Sequence, residues 1–208
     1  MKKEWLKKLK KFWNKFYFIV WKDDSLKGWI ISLIFIFVLI KFIFFPLMSF
    51  FTGTALPLAI VESCSMHHNE NLLSNYNDWW NNNKEKYKKF NITKKDFSEF
   101  SFKKGFTKGD ILLITKAEPE NLKKGDIIIF QTNKKHPLIH RIVNITNTSE
   151  GYIFSTLGDN NSEQLSIEKE IHKTQLIGKA KFKLIPYAGW IKLIFYEPFQ
   201  PDYNKGFC

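Results

Sequence analysis

The sequence predicts a mainly β domain, a small barrel or sandwich, behind an N-terminal transmembrane helix and interrupted by a mixed, partly helical insertion. Three observations predict it. An apolar run from Gly28 to Phe51 carries a single charge, Lys41, and is long enough for the about 20 residues that a helix needs to cross a bilayer core. Two stretches, Lys108-Gly109-Asp110-Ile111-Leu112-Leu113-Ile114 and Lys124-Gly125-Asp126-Ile127-Ile128-Ile129-Phe130, repeat one layout: a Gly-Asp turn followed by an apolar, β-branched run. Short strand patterns then recur, over Leu138 to Ile145, Gly151 to Thr156 and Gln175 to Leu184, separated by turn residues such as Gly158-Asp159-Asn160-Asn161.

The chain of 208 residues has room for one compact domain plus an anchor. Aromatic residues at 17% and hydrophobic residues at 44% exclude a wholly disordered chain. A formal charge of +12 admits a nucleic acid, an anionic membrane surface or an acidic protein as partner. Much of that charge sits in the N-terminal segment and the insertion, with no base-reading module, so no nucleic-acid partner is expected. The cysteines are two, Cys64 and Cys208. They form no disulfide framework and no zinc-ligand spacing, and Cys64 reads as a small packing residue.

Residues 1–27 carry nine lysines against Glu4, Asp23 and Asp24, while Trp5, Leu6, Leu9, Phe12, Trp13, Phe16 and Tyr17 recur at three- and four-residue spacing. That is the stripe of a basic amphipathic helix suited to a headgroup region. Residues 28–51 are too long for a secretory signal core of about 7 to 15 residues and read as a retained anchor. The lysine excess before the span places the N-terminus in the cytoplasm and everything after the span on the exoplasmic side.

Immediately after the span, Val61-Glu62-Ser63-Cys64-Ser65-Met66 sets two serines one residue apart. On an extended segment their hydroxyls share a face, so one can attack while the other donates a hydrogen bond beside it. Residues 67–104 mix asparagines (Asn69, Asn71, Asn75 and others) with lysines and with spaced aromatics such as Trp79, Trp80, Tyr87 and Phe97, which reads as a folded insertion. His67 and His68 read as loop residues. Residues 52–185 form the exoplasmic domain, and 186–208 an apolar tail whose first half is expected to be an interfacial helix.

A serine hydroxyl needs a base within hydrogen-bond reach, and an imidazole base needs its other nitrogen oriented by an acceptor. Ser65, His140 and Asp159 meet that requirement, though by chemistry alone any of the five histidines could be the base.

Ser63-Cys64-Ser65-Met66, Lys108-Gly109-Asp110, Leu138-Ile139-His140-Arg141-Ile142-Val143 and Gly158-Asp159-Asn160-Asn161 resemble, in the same order, the boxes of type I signal peptidases of the Ser-His-Asp branch. That branch contains archaeal enzymes and the catalytic subunits of the endoplasmic-reticulum complex, and between the two the lysine- and asparagine-rich composition with a short two-cysteine chain leans toward an archaeal cell membrane. The resemblance implies a serine endopeptidase that removes signal peptides from secretory preproteins after small residues. Ser65 would be the nucleophile, His140 the base and Asp159 the orienting acid, with Ser63 and the Ser65 backbone N–H supporting the oxyanion. It implies no cofactor and no metal, and as partners the preproteins, the lipid bilayer and the protein translocation channel. The bacterial branch carries a lysine where this chain has His140, which favours the triad over a Ser-Lys dyad. Two departures stand out: Leu165 occupies the place of a further aspartate six residues after Asp159, with Glu163 near but not aligned, and the insertion 67–104 is normally a few residues long. The alternative is a catalytically inactive membrane adaptor of the same fold.

Overall fold

The computed structural model describes residues 2–68, 76–133 and 136–208. Asn69, Asn71 and Asn75 of the expected insertion lie outside the described residues. The chain divides into two compact units, Met1–Phe51 and Thr52–Cys208.

In the first unit, α1 (Lys2–Trp21) is followed by one continuous helix over Leu26–Thr52, built from α2 (Leu26–Leu39), a π-helical turn (Ile40–Phe44) and α3 (Phe45–Thr52). Ser25 caps α2 by accepting from the Gly28 N–H at 3.1 Å, satisfying a donor that the first turn leaves open. Pro46 has no N–H to close the next intrahelical bond, and the helix widens to π just before it. At 27 residues the helix is about 40 Å long, enough to cross a hydrocarbon core.

The second unit is the expected mainly β domain, realised as one seven-stranded antiparallel sheet. Its strands are β1 (Leu58–Ile60), β2 (Ile111–Thr115), β3 (Ile127–Phe130), β4 (Leu138–Thr148), β5 (Gly151–Leu157), β6 (Ile171–His172) and β7 (Leu176–Ile185). Their spatial order is β1-β2-β7-β3-β4-β5-β6, so β1 is an edge strand. The two Gly-Asp turns work alike. Gly109 and Gly125 adopt φ of 89° and 94°, and the aspartate that follows each accepts the N–H three residues earlier, Thr107 to Asp110 at 2.9 Å and Lys123 to Asp126 at 2.8 Å. Lys183 and Lys179 of β7 then reach the same two carboxylates.

Burial on both faces explains why β3 is apolar at every position. Ile127 and Ile129 join a core with Val61, Met66, Leu112 and Ile114, whereas Ile128 and Phe130 join another with Leu122, Ile142 and Phe154. On β4 the burial likewise runs unbroken from His140 to Val143. Two things cause it: a register shift between Ile142 and Asn144 makes Val143 an extra, bulged residue, and an aromatic layer covers that face. The layer comes from the insertion, whose α4 (Tyr76–Lys88) and α5 (Lys94–Glu99) pack Trp79, Trp80, Tyr87 and Phe97 against Val143 and Leu157. Thr93 and Asp96 close a reciprocal capping box at the start of α5.

Two expectations change. Cys64 and Cys208 form a disulfide that joins positions 144 residues apart, so Cys64 is a crosslink and not a packing residue. The segment after Pro186 holds only one helical turn, α6 (Trp190–Leu193), followed by 3-10 turns at Glu197–Phe199 and Asp202–Asn204. It is tied down by polar contacts that a free interfacial helix would lack: Gly189 N–H to the Gly109 carbonyl at 2.7 Å, Trp190 Nε1–H to the Lys108 carbonyl at 3.1 Å, and Lys108 Nζ to Glu197 at 2.9 Å.

Candidate active site

The serine pair follows β1 directly. Val61 N–H donates to the Asp110 carbonyl and Gly109 N–H to the Val61 carbonyl, both at 2.9 Å, so the extended chain is held up to the residue before Glu62. It then bends. The His67 N–H closes a turn onto the Cys64 carbonyl at 3.0 Å, so Ser65 lies in that turn and Ser63 in the bend before it, neither on a strand. Their hydroxyls still lie 3.2 Å apart.

His140 sits on β4, paired across from Ile128. Its Nε2 lies 2.9 Å from the Ser65 hydroxyl, and the imidazole is almost wholly buried. Its Nδ1 meets the Glu168 carboxylate in a close contact. Glu168 is fully buried and held from three sides. Its Oε2 accepts the Leu165 N–H at 2.8 Å, its Oε1 accepts from the Thr156 hydroxyl at 3.3 Å, and the 3-10 turn Ser166–Glu168 turns the side chain inward. Hydroxyl, imidazole and carboxylate thus form one line of hydrogen bonds, the arrangement a serine needs to lose its proton as it attacks.

Asp159 does not stand in that line, which corrects the expectation that it orients His140. Neighbours on a strand point to opposite faces. His140 faces the serine, and Arg141 faces the other way and takes Asp159 in a bidentate pair, Nε to Oδ1 at 2.9 Å and Nη2 to Oδ2 at 2.6 Å. Tyr87 donates to Oδ1 and His68 Nε2 meets Oδ2, each at 2.9 Å. Burial alone would raise the Asp159 carboxyl, but the Arg141 guanidinium and His68 outweigh it and hold it well below the usual carboxylate range. The remaining Arg141 donors go to the carbonyls of Ser101, Gly125 and Phe102 at 2.8 to 2.9 Å, so a buried charge is fully satisfied. This places Asp159 in a structural ion pair that joins β4, the 158–161 turn and the insertion.

His68 is more than a loop residue. From its loop it stacks on Trp79 of α4 with ring centroids 3.6 Å apart, and its Nε2 meets Asp159. Glu168 is the residue that sequence reasoning missed. Glu163 is the nearest acid after Asp159 and Leu165 holds the six-residue position, whereas the turn that brings residue 168 back has no distinctive local signature.

A groove of about 530 Å³ opens beside Ser63, Ser65 and His140. Leu58 and Ile60 of β1 line it on one side, and Leu138 and Ile139 of β4 also line it. Glu62, Lys192 and Asn204 border it as well, with Lys192 Nζ 3.3 Å from Glu62. Such a groove can take an extended peptide along the free edge of β1, giving main-chain hydrogen bonds and pockets for alternate side chains.

Comparison with known proteins finds signal peptidase complex catalytic subunits among the relatives of this chain. The chain is 29% identical over 112 residues to the signal peptidase complex catalytic subunit SEC11C of Homo sapiens and, equally, of Canis lupus familiaris, covering 50% of this chain and 55% of each relative. It is 31% identical over 104 residues to the signal peptidase complex catalytic subunit SEC11 of Candida albicans, covering 47% of this chain and 61% of the relative. The chain therefore spans little more than half the length of the relatives it matches. No family model matches it.

Proposed function

Starting from a chain related in sequence to signal peptidase complex catalytic subunits, we propose that this protein is a membrane-anchored serine endopeptidase that cleaves signal peptides from secretory preproteins. The observation that carries the reading is the line from Ser65 Oγ through His140, at 2.9 Å, to Glu168. Ser65 attacks the scissile carbonyl while its proton passes to His140 Nε2. His140 then gives that proton to the leaving amine, and a water, deprotonated by the same imidazole, hydrolyses the acyl-enzyme. Glu168 accepts from Nδ1–H and so fixes the tautomer in which Nε2 is free to act as base. The Ser63 hydroxyl and the Ser65 N–H support the developing oxyanion, each donor contributing about 3 kcal/mol in comparable sites.

The preprotein's cleavage segment lies extended beside β1, and the apolar groove accepts the small residues one and three positions before the cut. The helix Leu26–Thr52 crosses the membrane with the lysine-rich N-terminus on the cytoplasmic side. The Cys64–Cys208 disulfide supports an exoplasmic, oxidising site for the second unit. The bilayer and a translocation channel delivering substrate are its expected neighbours.

The purified full chain in detergent should cut a preprotein at its small-residue site, and Ser65→Ala should abolish cutting while the circular dichroism spectrum is unchanged. Undiminished cutting by the alanine variant would refute the assignment.

A further inference from the structure

The insertion does more than cover β4. Its helix α4 places Lys86 over the 158–161 turn, where the ammonium donates to the carbonyl oxygen of Asp159, to that of Asn161 at 3.0 Å, and to Asn83 Oδ1 at 2.8 Å. The Asp159 carbonyl and the Asn160 N–H belong to the same peptide group. That N–H donates to the Ser65 carbonyl at 2.8 Å, and the Asn160 side-chain amide donates to the Cys64 carbonyl at 3.1 Å. The turn is pressed against the serine's main chain, since a Cβ added at Gly158 would lie 2.9 Å from the Ser65 carbonyl oxygen. A cation at one end of a peptide group polarises it and strengthens the hydrogen bond at its other end.

We infer that Lys86 is a positioning residue: its ammonium clamps the Asp159 and Asn161 carbonyls and, through the peptide they frame, holds Ser65 in register with His140. The inference rests on the serine-protease reading above and assigns the insertion a part in it.

The ammonium lies near the Asp159 carboxylate, which carries Arg141 and His68, and near the rings of Tyr87 and Trp79 at 5.4 and 5.9 Å from their centroids. Burial lowers Lys86 to about 8, against the pull of Asp159. Its charge is therefore lost in an accessible alkaline range. The sign for stability is opposite to the sign for activity. Between about 8 and the ordinary 10.5 the unfolded chain binds more protons than the folded one, so the Lys86 contribution to stability rises with pH across that window while the clamp weakens.

The test is a kcat and KM profile from pH 6 to about 10 on a preprotein peptide. It uses the full chain in detergent, with active sites counted by end-point labelling with a serine-directed acylating probe. Lys86→Met should lower kcat per labelled site about 10- to 100-fold with KM nearly unchanged, the loss expected when a charge-assisted hydrogen bond is removed. Lys86→Arg should restore most of kcat and move the alkaline fall upward by at least about one pH unit, since a guanidinium stays charged. A Lys86→Met enzyme with normal kcat per labelled site, or an alkaline fall at the same pH in Lys86→Arg, would overturn the inference. In that event loss of cutting in Ser65→Ala leaves the protease reading standing, whereas a Ser65→Ala protein that still cuts removes both.

Discussion

Replacing Glu168 by Gln keeps shape and volume in a fully buried position and removes the second oxygen, the one that accepts from His140 Nδ1–H and from the rotatable Thr156 hydroxyl. The carboxamide still has an oxygen for the Leu165 N–H, now 2.8 Å from Oε2. Satisfying that donor turns its NH2 toward Nδ1, which must then become the acceptor. The imidazole proton moves to Nε2, the atom 2.9 Å from the Ser65 hydroxyl, and the base can no longer take the serine's proton. A wrong tautomer in a comparable triad costs about 10⁴ in kcat, or about 5.5 kcal/mol of barrier. Asp159→Asn makes the contrast. It breaks a buried bidentate pair with Arg141, and the expected cost is about 3 to 5 kcal/mol of stability. The folded fraction should keep kcat within about tenfold, because no Asp159 atom touches His140. The assay is kcat per active site on a preprotein peptide, alongside denaturant unfolding of each variant. A Glu168→Gln enzyme within about tenfold of the parent would refute this assignment of the acid, as would a 10⁴-fold loss of kcat in folded Asp159→Asn.

Two further outcomes concern stability. Cys208→Ser removes a crosslink across 144 residues and should lower unfolding free energy by about 2 to 5 kcal/mol under oxidising conditions, read as a shifted denaturant midpoint; an unmoved midpoint would contradict a formed Cys64–Cys208 bond. The folded Asp159 carboxyl is depressed, so its contribution is present above its ordinary value of 3.8 and is lost as pH falls below that value toward the folded one. The stability gap between parent and Asp159→Asn should hold from neutral pH down to about 5 and shrink only in stronger acid, and a gap closing already above about pH 5 would contradict the pairing.

What could be read in advance was what neighbouring residues encode together. The apolar run before the serine pair, the twin Gly-Asp turns and the apolar strands behind them are local patterns, and the helix Leu26–Thr52, β2 and β3 follow them closely. Ser65 and His140, named from the resemblance to the signal peptidase boxes, come together in the structure. Asp159 was misplaced for a reason that strand alternation contains. A strand that turns His140 to the serine turns Arg141 to the opposite face, and a buried guanidinium there demands a carboxylate of its own. Glu168 escaped because its position depends on a one-turn 3-10 segment with little sequence signature. The disulfide joins residues that meet only in the folded chain, and two cysteines far apart give no spacing to read. The insertion's aromatics announced burial but not their partner, which is the bulged Val143 face of β4.

The central claim is that the Ser65 hydroxyl and the His140 imidazole act as one chemical unit. Its most direct measurement is the rate at which a serine-directed acylating probe modifies the full chain in detergent, with the modified residue located by peptide mass analysis. The adduct is expected on Ser65, forming at least about 10³-fold more slowly in a folded His140→Ala variant, because an unassisted hydroxyl is a weak nucleophile near neutral pH. An adduct on another residue, or equal labelling of Ser65 with and without the imidazole, would contradict it.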